Sequence, residues 1–134
     1  MRIMRIKALR RLPVTFGWLS KRPLPDDLVE EWLQPLGSNA AVRRDLRRYA
    51  AGARRRQMRS ICERLSGMNV PTLVIWTPED RIQRPEHGAR LAEAIPDARL
   101  EQIGDSYTLI MRDQPDRLAQ LVRDFIAQQV AVPR

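Results

Sequence analysis

The feature that most constrains the fold is an uncharged apolar run, Val-Pro-Thr-Leu-Val-Ile-Trp, at residues 70–76. It is rich in β-branched residues, and its proline stands near the start, where the loss of an amide donor does least harm. Such a run is typical of a strand that is buried on both faces of a parallel sheet. It is far shorter than the roughly 20 residues that cross a bilayer. We therefore expect a chain with no membrane span, and we predict a cytoplasmic protein.

The residues after this run predict a second strand and two helices. Residues 77–80 form a turn, residues 85–95 have helical spacing, and residues 99–104 alternate as in a half-exposed strand. Asp113 is suited to cap a last helix with Pro115 in its first turn. The apolar stripe of that helix is Leu118, Leu121, Val122, Phe125 and Ile126.

This order of strand, helix, strand and helix predicts an α/β fold with two parallel strands in residues 67–134. Two strands do not form a stable open sheet, and a buried strand with an unpaired edge favours aggregation. We therefore expect further strands outside this sequence, or a partner that covers the edge.

The first part, residues 1–66, has a different character. It holds 16 Lys and Arg against 6 Asp and Glu, whereas residues 67–134 hold 8 against 10. Its pattern predicts three helices: one over about 28–36, ended by Pro35 and Gly37, one capped by Ser38 or Asn39, and one over about 53–65. We therefore divide the chain into a basic helical segment, 1–66, and an α/β segment, 67–134.

The arginines of the helical segment raise the question of nucleic acid. Phosphate binding needs clustered cations, and the chain has them. No nucleic-acid-binding motif or aromatic platform accompanies these cations, because Trp32 and Trp76 lie in apolar patterns that predict core positions. Solvated helix faces explain the charges better, so we do not expect a nucleic-acid partner. The residues concerned are Arg43, Arg44, Arg47, Arg48, Arg54, Arg55 and Arg56.

One cysteine, Cys62, and one histidine, His87, bound the chemistry of the chain. A single cysteine excludes an internal disulfide, and no group of residues has zinc-ligand spacing. We expect neither a metal nor a cofactor. Cys62 is predicted to be a small apolar filler in a helix, and His87, in a helical first turn, is predicted to lie at the surface.

Taken together, residues 12 to 129 resemble the carboxyl-terminal half of an α/β-hydrolase. The string Val-Pro-Thr-Leu-Val-Ile-Trp-Thr-Pro-Glu-Asp-Arg-Ile at 70–82 is similar to the strand and turn that bear the triad acid in that family. Pro-Glu-His-Gly at 85–88 and Asp-Gln-Pro at 113–115 continue the resemblance. Residues 13–50 look like the end of the helical cap that is inserted into the fold. The resemblance implies a partial α/β-hydrolase fold and, for the full-length family, a small-molecule ester, epoxide or halide substrate.

The resemblance implies that Asp80 occupies the triad acid position, because it follows the buried strand by a short turn. In the family this residue accepts a hydrogen bond from the catalytic histidine. The alternative is that Glu79 and Asp80 are solvated turn residues or cap the next helix. We favour the inherited position.

The histidine position departs from the family pattern. The family's Gly-x-Gly-His segment falls on residues 105–108, so Thr108 stands where the histidine is expected. A threonine hydroxyl is neither a useful base nor a useful acid near neutral pH. Tyr107, with an ordinary pKa of about 10, is expected to be structural.

The nucleophile is also missing from the sequence. It would sit on a tight turn of the G-x-S-x-G type, with Ser or Asp as the attacking residue, yet no two glycines lie four positions apart. We therefore expect a fragment or truncated relative of the hydrolases, arising from gene truncation, an internal start or partial expression, that is inactive as an isolated chain. The alternative is a non-catalytic interaction module that self-associates through its sheet edge.

Overall fold

The computed structural model describes residues 17–52, 61 and 63–131 of the 134-residue chain. They fall into two compact units. The first combines the stretch up to Pro23 with residues from Gly67 onward, and the second is Leu24–Ser66. The predicted boundary near residue 66 is one of the unit boundaries, and residues 17–23 lie with the α/β part. The division into 1–66 and 67–134 stays a prediction.

The first unit contains a two-stranded parallel sheet. Strand β1 (Thr72–Trp76) pairs with β2 (Ala98–Gln102), and Val74 lies opposite Leu100. The predicted α/β fold with two parallel strands is confirmed.

Strand β1 differs from the prediction in its length and its burial. It begins at Thr72, whose amide donates to Asp97 O over 2.7 Å, whereas Val70 is 58% exposed. Only Val74 is buried, and its four neighbours in the strand are half-buried. The expectation of burial on both faces is therefore only partly met, because the described residues do not cover both faces completely.

Helix α3 (Pro85–Ala94) connects the strands and packs against both of them. Pro85 begins the helix, where its missing amide donor costs little. Gly88 is buried against Trp76, and a Cβ at this position would come within 2.6 Å of the indole ring. The glycine therefore sets the close approach of α3 to β1.

Two helices follow the sheet, the short α4 (Ile110–Asp113) and α5 (Pro115–Ala131). Of the predicted apolar stripe on α5, Leu121 is buried, but Val122 and Ile126 are 39% and 55% exposed. The helical periodicity is correct, and the stripe is only partly covered.

The second unit contains α1 (Asp26–Ser38) and α2 (Ala40–Gly52). Helix α1 does not end at Pro35 as predicted, because one lost donor is tolerated and the Asn39 amide closes a further turn on Pro35 O over 3.0 Å. Asn39 caps α2 as predicted, since its Oδ1 accepts from the Ala41 amide over 2.8 Å. Trp32 was expected in the core but is 42% exposed.

The predicted third helix lies mostly outside the described residues, as does Cys62. Of the first two arginine pairs, Arg44, Arg47 and Arg48 are exposed on α2. Arg43 donates instead to the carbonyl oxygens of Leu36 and Gly37 at the end of α1. This side chain therefore has a structural use at a helix carboxyl terminus.

Candidate functional site

The candidate site lies where β1 and β2 end. Because the strands are parallel, the loops that follow them, residues 77–83 and 103–109, leave the sheet at the same edge. The Ile103 amide donates to Trp76 O over 2.9 Å, and the buried Thr77 donates through Oγ1 to Ser106 O over 2.8 Å. These bonds hold the two loops side by side.

The two site residues predicted from sequence meet in this place. Thr108 Oγ1 donates a hydrogen bond to Asp80 Oδ1 over 2.9 Å, although the residues are 28 positions apart. Both side chains are half-buried. The same Oδ1 accepts from the amides of Ile82 and Gln83 over 2.7 and 2.9 Å. Asp80 therefore also stabilises its own turn, as the structural alternative predicted.

Asp105, at the start of the segment that precedes Thr108, has an unusual backbone conformation. Its φ of 52° lies in the left-handed region, which glycine adopts most readily and aspartate only sometimes.

The chemistry available to this pair is narrow. Thr108 donates one proton to a carboxylate oxygen and has no group that takes up a proton near neutral pH. His87 lies in the first turn of α3 and is exposed, as expected for a surface residue. The pair can orient a polar ligand by hydrogen bonding, but it lacks the proton shuttle of a triad.

The most buried acid near this edge, Asp113, was not among the residues predicted for the site. Asp113 was predicted to cap the last helix, and this prediction was wrong. Its side chain is fully buried, and its carboxylate accepts from Ser20 Oγ over 2.5 Å and from the amides of Lys21, Arg22 and Tyr107 over 3.0, 3.2 and 3.0 Å. The Arg22 guanidinium also donates to the Asp113 carbonyl oxygen.

The hydrogen bonds decide the ionisation of Asp113. Burial by itself raises the pKa of the carboxyl, but the donors Ser20, Tyr107, Lys21 and Arg22 outweigh it, so the pKa lies below its ordinary value. No local pattern reveals this network, because three of the four donors lie 91 to 93 positions away. Asp-Gln-Pro before a helix has the same appearance whether the aspartate caps the helix or turns inward.

A charged cluster lies beside the pair. Lys21 forms ion pairs with Glu79 and with Asp105, the latter at 3.1 Å, and Glu79 Oε1 accepts from the Asp105 amide over 2.7 Å. The hydrogen bond to Glu79 is the main cause that raises the pKa of Lys21, and the same bond lowers the pKa of Glu79. The Tyr107 ring lies 4.9 Å from the Arg81 guanidinium and 5.7 Å from Lys21 Nζ. Tyr107 is therefore a structural contact for cations, in keeping with its predicted structural role.

Within residues 17–52, 61 and 63–131, no three His, Cys, Asp or Glu side chains form a group that could hold a metal ion. No helix in this part of the chain is long and apolar enough to cross a membrane.

Comparisons with known proteins find partial matches to hydrolases. No protein-family model matches the chain. An uncharacterized hydrolase of Bacillus subtilis (strain 168), YugF, is 38% identical over 64 residues, which are 48% of this chain and 23% of that protein. The chain therefore spans about a quarter of the curated relative that it matches.

Solved structures give a similar result. An α/β-hydrolase from the metagenome of lagoon sediments of Mar Chica, Morocco, aligns with a TM-score of 0.50 and 26% identity, over 52% of this chain and 32% of that one. A thermophilic esterase from Thermogutta terrifontis aligns with a TM-score of 0.46 and 31% identity, over 48% of this chain and 24% of that one.

The first two matches and the parallel two-stranded sheet agree with each other. The chain has part of an α/β-hydrolase fold and is related to the α/β-hydrolases over about half of its length.

Proposed function

We propose that this chain is hydrolase-derived and that, by itself, it does not hydrolyse esters by a triad mechanism. In this proposal Asp80 occupies the triad acid position and Thr108 the histidine position. The observation that carries it is the 2.9 Å hydrogen bond from Thr108 Oγ1 to Asp80 Oδ1. It supports the proposal because a triad acid accepts a hydrogen bond from the residue at the histidine position, and Asp80 accepts one from Thr108.

The left-handed φ of Asp105, 52°, supports the same assignment, because the resemblance implies a glycine at this position and glycine adopts such a φ most readily. The sequence adds that no G-x-S-x-G turn is present. The chain therefore has an acid but neither a base nor a nucleophile for the reaction. The substrate class of its full-length relatives, small molecules with an ester-like bond, is part of this proposal.

An ester assay tests the proposal. The purified 134-residue chain is incubated with p-nitrophenyl acetate and compared with Asp80→Ala and His87→Ala. We expect equal rates from the chain and Asp80→Ala. Because an exposed imidazole reacts slowly with activated esters, His87→Ala identifies that background. Turnover that persists in His87→Ala and disappears in Asp80→Ala would contradict the proposal.

A second function, self-association through the sheet, is favoured by one observation. Among the described residues, β1 pairs with β2 along one edge and with no strand along the other. A second copy could pair with this edge by strand addition. Light scattering over a range of concentrations tests this idea, and a monomer at all of them would exclude it.

We further propose that the helical unit, Leu24–Ser66, derives from the cap of such a hydrolase. Its two helices, α1 and α2, precede the sheet in the order that the resemblance implies. The cytoplasmic location also stays a prediction, which cell fractionation would measure.

A further inference from the structure

We propose that Asp113 is a positioning residue that holds Thr108 beside Asp80 by tying the loop after β2 to residues 19–22. This inference rests on the proposed assignment of Asp80 and Thr108, and it adds a residue that the resemblance does not bring into the site.

The backbone on both sides of Thr108 is fixed by this tie. On one side, the Tyr107 amide donates to Asp113 Oδ2 over 3.0 Å. On the other, the Leu109 amide donates to Leu19 O over 2.7 Å. When both neighbours of a residue are held, the direction of its Cα–Cβ bond is fixed, and only rotation about χ1 remains to place its side chain. The 2.9 Å bond from Thr108 to Asp80 therefore depends on both contacts.

The same carboxylate holds the segment that supplies Leu19. Its Oδ1 accepts from Ser20 Oγ over 2.5 Å and from the Arg22 amide over 3.2 Å, and its Oδ2 accepts from the Lys21 amide over 3.0 Å. Asp113 is thus the shared acceptor of two segments that meet at Thr108.

The burial and charge of Asp113 fit this role. The side chain is fully buried, and Ser20 is 6% exposed, so the hydrogen bond between them is shielded from competing water. A buried carboxylate remains ionised only when several donors surround it, and its lowered pKa agrees with that. All four of these donors lie outside helices α4 and α5, which argues against a role confined to the start of the last helix.

A histidine introduced by Thr108→His serves as the reporter. Beside Asp80, its imidazolium form is favoured, so in an NMR titration it should titrate about one pH unit above the same imidazole in Thr108→His combined with Asp80→Asn. Adding Asp113→Asn to both of these proteins keeps the side-chain size but turns an amide NH2 toward some of the donors. We expect most of the pKa difference to disappear. Adding Ser20→Ala, which removes one donor, should cause a smaller loss.

The matched control is Asp116→Asn in the same Thr108→His background. Asp116 is an exposed acid in the first turn of α5, and its replacement should leave the pKa difference that Asp80→Asn causes unchanged. Where Asp113→Asn does not fold well enough for titration, Ser20→Ala supplies the result.

Three results would overturn the inference. The first is an introduced imidazole whose pKa is the same with and without Asp80→Asn. The second is an unchanged pKa difference in Asp113→Asn despite lowered stability, since that is the behaviour of a purely structural residue. The third, when only Ser20→Ala can be measured, is an unchanged difference there. The ester assay is done on the unmodified chain, so triad-like turnover would refute the proposed function without altering these titrations.

Discussion

Two aspartates at the same edge of the sheet have opposite surroundings. Asp113 is fully buried and accepts from four donors, three of them more than 90 positions away. Asp80 is half-buried, and two of the three bonds to its Oδ1 come from its own turn. A carboxylate that is enclosed by backbone donors, such as Asp113, has a structural role. One that keeps a side open is available to a partner, here Thr108.

We expect the largest change in folding stability when Asp113 is replaced. Asp113→Ala removes the acceptor of three part-buried amides and one of the two acceptors of the Ser20 hydroxyl, and we expect the free energy of unfolding to fall by about 3 kcal/mol. Urea denaturation measures this change. Asp116→Ala is the control and should change the value by less than about 0.5 kcal/mol. Equal effects of the two substitutions would refute the structural role of Asp113.

The second prediction concerns the contribution of Asp113 to stability at low pH. Because the folded-state pKa of Asp113 is lowered, its ionised form stabilises the protein fully above the unfolded pKa of about 3.9. That stability is lost as the pH falls through the lower folded-state pKa. We therefore expect a steeper acid loss of stability in the unmodified chain than in Asp113→Asn, measured by urea denaturation between pH 6 and pH 2. Parallel curves would show that Asp113 does not titrate with folding.

Removing the hydrogen bond between Thr108 and Asp80 should change folding stability less. Thr108→Val keeps the shape of the side chain but deletes its hydroxyl, and the free energy of unfolding should fall by about 1 kcal/mol or less, since a half-buried Asp80 can bind water instead. In the Asp80→Ala background the same substitution should have almost no effect, because the acceptor is already absent. A double-mutant cycle with no coupling would contradict the hydrogen bond between them.

The smallest effect belongs to the charged cluster. Lys21→Met removes ion pairs with Glu79 and Asp105 whose side chains are 41% and 70% exposed. Solvent and salt screen such pairs, so we expect a slight loss of stability that shrinks further at high salt. Denaturation at low and high ionic strength measures it. If Lys21→Met lowered the folding stability as much as Asp113→Ala, buried and exposed carboxylates would not differ in their contribution to stability.

Local patterns predicted much of this fold. The apolar run at 70–76 and the alternation at 99–104 predicted two strands, and the resemblance to α/β-hydrolases singled out Asp80 and Thr108 as site residues. The features that were not predicted depend on contacts between residues far apart in the sequence. Asp113 turns inward because residues 20–22 donate hydrogen bonds to it. Trp32 and Ile126 are exposed because the described residues do not cover these side chains. Pro35 was misjudged because a proline removes one donor without necessarily ending a helix.

The central claim, that Asp80 and position 108 form the acid and base positions of a former triad, is tested most directly by comparing Thr108→His with Thr108→His combined with Asp80→Asn. NMR titration follows the introduced imidazole in both proteins. We predict that it titrates about one pH unit higher in Thr108→His than in the double variant, because the Asp80 carboxylate favours its imidazolium form. Equal pKa values of the introduced imidazole in the two proteins would contradict the account.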